Sequence, residues 1–578
     1  MKQERNLQRG LKNRHVQLIA IGGAIGTGLF LGSGHSIALA GPSILFAYMI
    51  TGTICFLMMR ALGELLLSNT NYHTFVEFIQ EYMGDKVAFI TGWTYWFCWV
   101  SVAMADITAV GMYVQFWLPH IPLWVPSAVV LAVLVVMNLF TVRLFGELEF
   151  WFALIKIIAI VALILVGLFF ILQGHTTTHG IASFSNIWSH GGWFPMGISG
   201  FIQSFQMVVF AFACIEMVGL TAGETKDPHK VLPKAINSIP LRIILFYTCS
   251  LAVIMSIFPW DAVNPNKSPF VEVFMTVGIV GAASIVNFVV LTSAASAGNS
   301  GIFSTSRMLY ALAKKSHAPE FLESLTRKHV PANALLLSAL IIALVVAMQY
   351  VLPDTIFVLI SSVATFCFLY LWAVLVICHM RYRKARPDLA AESHFKMPLY
   401  PILNYIVLAF FAFVIVTLAI NPTTRTALFV TPVWFILLLL IYHLRTVSSS
   451  DSRLAENNDM TYAVNDLEKE LAHAFHAMYD GFPEPVQLAY KDCRIVAVNP
   501  KMAEKRTPGD TCSLPNGERH PGCLLNKALN TKRTQWKQMP QQANGQIPVS
   551  YWIPVPDHED YYIHFATGLF QDYSKPNE

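Results

Sequence analysis

Twelve stretches of about twenty apolar residues follow one another through the first 445 positions. They lie roughly at 16–38, 42–67, 87–117, 124–143, 151–173, 198–221, 239–260, 278–310, 333–351, 354–380, 400–420 and 427–445. About twenty helical residues cross a hydrocarbon core some 30 Å thick, and in lipid a segment must satisfy its own backbone hydrogen bonds. The expectation is therefore an all-α polytopic membrane protein with twelve transmembrane helices. Composition agrees: of 578 residues 55% are hydrophobic and 13% charged, where soluble domains carry about a quarter charged residues.

Basic residues sort the connections between these stretches. Lys2, Arg5, Arg9, Lys12 and Arg14 precede the first, and Lys226, Lys230, Lys234 and Arg242 follow the sixth. Arg307, Lys314, Lys315, Arg327 and Lys328 follow the eighth, and Arg381, Arg383, Lys384, Arg386 and Lys396 follow the tenth. With twelve crossings all four clusters share a side, opposite Lys267 and Arg425, and the positive-inside rule makes both termini cytoplasmic. A basic start, an apolar run and Ala38-Leu39-Ala40 imitate a signal peptide. Cleavage there would leave eleven spans and invert the charge bias, so the first stretch is read as a span.

After Arg445 the pattern stops. Positions 446–465 read as a polar linker, and 466–578 as a cytoplasmic domain of soluble composition. Residues 1–445 hold 26 Lys+Arg and 18 Asp+Glu, against 13 and 17 in the rest. Leu467, Leu471, Phe475 and Met478 have helical spacing, and Val486 to Val498 alternates like two strands around Lys491-Asp492.

Several function classes drop out. No Gly-Lys pair exists, hence no phosphate-binding GxxxxGK[ST] loop, and no HExxH occurs. No nucleophile, base and orienting group stand together, so the chain is not read as an enzyme. Its small net charge flanks apolar segments, which points to a lipid bilayer and away from nucleic acid. Cys55, Cys98, Cys214, Cys249, Cys367 and Cys378 are scattered singly through apolar runs and read as small buried hydrophobes. Cys512, His520 and Cys523 lack regular metal-ligand spacing, so reduced thiols in a loop are the expectation there and no cofactor is expected.

Chemistry at membrane depth concentrates at few positions. Gly22-Gly23-Ala24-Ile25-Gly26-Thr27-Gly28 places four glycines in the first span, and glycine costs a helix interior about 1 kcal/mol relative to alanine. The segment is either an unwound stretch whose amides bind a carboxylate, with the Thr27 hydroxyl beside them, or a site of close helix packing. Glu216 lies in the sixth span within Phe210-Ala211-Phe212-Ala213-Cys214-Ile215-Glu216, either a functional carboxylate or one that ties a broken helix to its neighbours. An inverted repeat of five helices each would place corresponding breaks in the first and sixth spans. Lys156 has apolar neighbours on both sides and either exchanges a proton or snorkels to the interface. Asp106 reads as a hydrogen-bonded structural charge in preference to a pathway residue.

At these residues the sequence resembles the amino acid–polyamine–organocation transporters, in particular the bacterial amino acid permease branch, over nearly all of 10–445. Arg14-His15-Val16-Gln17-Leu18-Ile19-Ala20-Ile21-Gly22-Gly23-Ala24-Ile25-Gly26-Thr27-Gly28 and Gly41-Pro42-Ser43 carry the resemblance. Gly92-Trp93-Thr94-Tyr95-Trp96, Phe145-Gly146-Glu147-Leu148-Glu149, Gly191-Gly192-Trp193-Phe194-Pro195 and Lys267-Ser268-Pro269-Phe270 are most similar to the members that carry D-serine, D-alanine and glycine. The resemblance implies a five-plus-five inverted repeat with broken helices one and six, and import of a small neutral amino acid across a bacterial inner membrane by proton symport. It implies that the substrate carboxylate meets amides around Ile25, Gly26, Thr27 and Gly28, and its ammonium the carbonyls near Ala24, Phe210 and Ala213. Phe210 matches an aromatic gate, Glu216 a gate-linking carboxylate, and Lys156 a lysine standing where sodium-coupled relatives hold the ion. Cys214 replaces a glycine common in relatives, which would narrow the pocket. The tail departs from the family and resembles a PAS sensor domain, a small α+β fold that takes an unknown small ligand or protein partner. Permeases for proline, threonine or L-alanine, and an amino acid sensor signalling through the tail, remain alternatives.

Overall fold

The computed structural model describes residues 25–70, 72, 74–140, 143–217, 228–326, 330–353, 355–504, 506–508, 510, 524–538, 549–556 and 558–567, with backbone only at 140, 143–150, 228, 239, 446–466, 526, 538, 559 and 566–567. It divides into two compact units, Met1–Tyr442 and His443–Glu578.

The first unit is helical throughout its core. Among the described residues, eight helical segments are long and apolar enough to cross a membrane, and three shorter apolar helices accompany them. The first of the eight, Thr27–Ser68, bends at Gly41. There φ is +60°, and an added Cβ would lie 2.5 Å from the Pro195 ring, so only glycine fits. On either side run α1 (Thr27–Phe30), α2 (Gly32–Ala40) and α3 (Ile44–Ser68). After α4 (Phe75–Met83), Gly84 at φ +89° resets the chain, and α5 (Asp85–Val114) starts with Asp85 at its positive end. Next come α6 (Trp124–Phe140), α7 (Arg143–Gln173), a short hairpin of β1 (Thr176–Thr177) and β2 (Gly180–Ile181), and α8 (Gly197–Ala211). The remainder is α9 (Pro228–Ile257), α10 (Pro269–Thr276), α11 (Val280–Lys314), α12 (Ala332–Val351), α13 (Ile356–Ala385) and α14 (Ile402–Thr417).

α5 is the central pillar. It packs against α4, α6, α11, α12 and α13, and most of its side chains are buried. Peripheral helices turn large apolar residues outward instead, among them Leu165, Phe169 and Leu172 on α7, a distribution suited to lipid and not to water. One sequence expectation fails here. Cys55, Cys98, Cys214, Cys367 and Cys378 are buried, but Cys249 is exposed, because its face of α9 points outward.

The final helix, α15 (Pro422–Tyr479), is continuous through 446–465, so the stretch expected to be a linker is helical backbone. A polar sequence without Pro or Gly can remain helical. The second unit carries β3 (Val486–Tyr490), β4 (Ile495–Val498), β5 (Gln535–Gln538), β6 (Val549–Val555) and β7 (His558–Thr567) in one antiparallel sheet, ordered β4-β3-β7-β6-β5. Alternation gives the sheet two cores. Val486, Leu488, Ala497, Tyr561 and Ile563 meet Leu467, Leu471 and Phe475 of α15. Ala489, Trp552 and Tyr562 meet Leu525 and Ala528 of α16 (Leu525–Thr531) on the other face. Cys512, His520 and Cys523 lie outside the described residues.

Candidate functional site

Ile25 and Gly26 are not helical. Gly26 is extended at φ −139°, ψ −156°, and helix begins only at Thr27. The carbonyl of Gly26 accepts from Leu29 N at 3.1 Å and Phe30 N at 3.2 Å, and that of Thr27 from Leu31 N at 2.9 Å. The amides of Thr27 and Gly28 head this helix and, as at any helix start, have no acceptor within it. Ala24 lies outside the described residues.

The sixth apolar run breaks as well. α8 ends at Ala211, and Phe212 to Glu216 form turns in which Phe212 N bonds Val209 O and Ala213 N bonds Phe210 O, each at 3.0 Å. The Tyr247 hydroxyl of α9 donates to the Ala211 carbonyl at 3.0 Å, satisfying a terminal acceptor. Cys214 adopts φ +67°, the left-handed region that favours glycine. A cysteine therefore occupies a conformation in which the resemblance expects glycine.

The two breaks touch. A Cβ on Gly28 would lie 2.7 Å from Ala211 Cα, 3.1 Å from Ala211 N and 3.2 Å from Phe210 O, all backbone atoms. Backbone thus meets backbone where the start of one half-helix adjoins the end of another. Phe210 is buried beside this contact with its ring edge-on to Phe357 of α13 at 6.2 Å, and Phe357 also stacks with His35 of α2 at 6.1 Å. Glu216 is 0% exposed, and its Oε2 accepts from Trp372 Nε1 of α13 at 3.1 Å. Its Oε1 has no hydrogen-bond partner among the described residues.

Asp106 of α5 comes to the first break. Thr27 Oγ1 donates to Asp106 Oδ1 at 2.8 Å, with both side chains buried. Asp106 is therefore hydrogen-bonded to Thr27, the first residue of α1. Lys156 is 1% exposed within α7, while Trp151, Ile155 and Ile158 face outward. Among the described residues no group of three or more His, Cys, Asp or Glu is arranged to hold a metal ion.

A second buried charge cluster escaped sequence reasoning. Glu64 of α3 accepts from Arg383 Nε and Nη2 of α13 at 2.8 Å each and from Met397 N at 2.6 Å, and its Oε2 lies 3.0 Å from His379 Nε2. His379 Nδ1 lies 3.1 Å from Asn404 Nδ2 of α14. Glu64 and Arg383 stand 319 positions apart, so only the tertiary fold reveals the pair.

With this geometry in view, the chain can be set against known proteins. A family model described as amino acid permease matches residues 15–451. The chain belongs to that family. The permease is 66% identical to the uncharacterized transporter YdgF of Bacillus subtilis strain 168, across 76% of this chain and 96% of that one. It is 62% identical to the amino-acid permease AapA of the same organism, across 77% and 96%. It is 54% identical to the D-serine/D-alanine/glycine transporter of Escherichia coli O6:H1 strain CFT073, across 75% and 93%. The family is one of transporters, not enzymes, and every described residue of the two breaks falls inside the matched span. The strands of the second unit all lie beyond residue 451.

Proposed function

We propose that the permease imports small neutral amino acids, D-serine, D-alanine and glycine foremost, by proton symport across a bacterial inner membrane. The observation that carries this reading is the contact of Gly28 with Phe210 and Ala211. It brings the first amides of one half-helix, which have no acceptor within that helix, beside the terminal carbonyls of another, a pairing suited to a zwitterion. A substrate carboxylate would meet the amides around Gly26, Thr27 and Gly28, and an ammonium the carbonyls near Phe210 and Ala213. Buried Phe210 and the Cys214 side chain leave little room for more than a methyl or hydroxymethyl group. The name of the Escherichia coli relative agrees with this size class.

Dividing Thr27–Ser68 at Gly41 and adding the three shorter helices gives twelve crossings, and the basic connections then put both termini in the cytoplasm. Lys156 is a buried group able to exchange the coupling proton. The second unit, with its β4-β3-β7-β6-β5 sheet, is a PAS-like module that binds a small ligand or protein partner. Uptake of labelled glycine, D-alanine and D-serine into proteoliposomes, under proton and then sodium gradients, tests the whole reading. Uptake driven only by protons is expected; uptake driven by sodium would remove the symport assignment.

A second reading rests on that same module: the permease domain binds an amino acid and reports through the tail without net transport. Full uptake by a chain truncated after Arg445 would exclude it.

A further inference from the structure

The Thr27–Asp106 hydrogen bond bears on which groups the unwound segment can offer a substrate. A threonine hydroxyl has one proton and two lone pairs. Thr27 gives its proton to Asp106 Oδ1 at 2.8 Å, so toward the amides of Thr27 and Gly28 it presents lone pairs only. Asp106 Oδ1 is also 4.0 Å from where a Cβ of Gly26 would stand. A carboxylate arriving at these amides would meet an acceptor that cannot donate and a second carboxylate nearby. Two ionised carboxylates sharing a water-poor site repel strongly, and such pairs hold one proton between them.

We propose that Asp106 is the site where the coupling proton and the substrate meet: its protonation admits the substrate carboxylate to the Gly26–Gly28 segment. This rests on the symport reading and deepens it. A proton from the outer side forms an O–H bond on Asp106, removing the charge. The new O–H donates to Thr27 Oγ1, and the Thr27 proton turns to the substrate carboxylate. On the inner side the order reverses. The substrate leaves, Thr27 again donates to Asp106, and the Asp106 proton passes to water.

The surroundings of Asp106 fit a group that changes charge. α11 faces it with Gly298, whose added Cβ would lie 3.7 Å from Asp106 Cβ, and the start of α1 faces it with Thr27 and the extended Gly26 before it. Among the described residues, titratable side chains in electrostatic reach include Tyr113 on α5 and Cys214 at the second break. Cys214 also senses Glu216. Lys156 on α7 is the one buried lysine or arginine among the described residues, and it is the rival coupling group.

The test uses the full chain in proteoliposomes. Asp106→Asn keeps an oxygen for Thr27 but holds no titrating proton. Expected are persisting counterflow of labelled glycine, at least a tenfold loss of proton-driven accumulation, and a substrate KM that no longer varies with pH. Asp106→Glu restores part of the accumulation. Proton-driven accumulation by Asp106→Asn, in a preparation whose wild type is proton-driven, would overturn the proposal and leave symport standing. A wild type indifferent to the proton gradient would instead remove the symport reading itself, before any variant is made. Should Asp106→Asn not fold, proton uptake on glycine binding is measured in weak buffer for Lys156→Ala. Uptake that persists supports Asp106, and its loss overturns the assignment.

Discussion

Trp372 Nε1 on α13 donates to Glu216 Oε2 at 3.1 Å and thereby joins the break after α8 to a helix far along the chain. The carboxylate is wholly buried, and this is its one side-chain donor among the described residues. Removing the donor while keeping an aromatic ring strands a buried polar group, at a cost of about 1–3 kcal/mol. Trp372→Phe is expected to lower the thermal unfolding midpoint in detergent, and Glu216→Gln, which keeps an acceptor without the charge, to lower it less. Equal losses in the two variants would show that the indole matters for packing alone.

Gly28 admits no side chain, because the atoms an added Cβ would strike belong to the backbone of Phe210 and Ala211 and cannot rotate away. Gly28→Ala is expected to assemble in the membrane yet lose at least tenfold in uptake, since the broken helices must separate to accept the methyl. Gly281→Ala, with nothing within 4 Å of the added carbon, serves as the control and should transport normally. Normal uptake by Gly28→Ala, measured per folded molecule, would remove the close contact from the mechanism.

Cys214 at φ +67° bears left-handed backbone strain, which costs an L-residue about 1–2 kcal/mol and glycine almost nothing. Cys214→Gly trades lost packing for relieved strain, so its stability should stay within about 1 kcal/mol of wild type. Cys214→Val should fail, because a β-branched residue tolerates this conformation least. The glycine variant also opens space at the second break. Larger neutral amino acids should compete with glycine uptake in it and not in wild type; unchanged competition would take Cys214 out of the pocket.

These residues show how far sequence reasoning reached. The glycine cluster marked the first break because glycine's helix penalty is local, and Gly26 is indeed extended. Phe210 and Glu216 were visible as an aromatic and a charge in an apolar run. The turn over Phe212–Glu216 was not placed by residue type, since cysteine does not announce left-handed backbone. Asp106 was legible as a buried charge, but its partner lies 79 positions away, and periodicity carries no information about which helix faces which. The same limit hid Glu64, His379 and Arg383. The fall in hydropathy near residue 446, in turn, did not reveal the helix that continues there.

The Glu64 cluster predicts stability directly. Arg383 holds both carboxylate oxygens at 2.8 Å, and Glu64 is fully buried. Taking away one partner of a buried ion pair costs about 3–5 kcal/mol, because the remaining charge stays desolvated. Arg383→Met should therefore lower thermal stability in detergent far more than Lys384→Met, whose side chain is exposed on the same helix. Similar midpoints for both would mean that water replaces the arginine at no cost.

The second unit offers a test in alkali. Burial, with the Glu468 charge and the hydrogen bond to Glu468 Oε1 at 3.3 Å, pushes the Tyr561 phenol up to about 12. An unfolded tyrosine ionises near 10. Below that pH both states keep the proton, and the contribution of Tyr561 is fully present. Between about 10 and 12 the unfolded chain loses the proton first, so stability falls as pH rises, and above 12 the loss is complete. Urea unfolding of 443–578, followed by circular dichroism at pH 8, 9 and 10.5, should show a drop confined to the last interval. Tyr561→Phe keeps the ring edge-on to Tyr490, its partner on the neighbouring strand, but has no proton to lose, so its drop should be smaller. Parallel drops in the two proteins would assign the alkaline sensitivity to other groups.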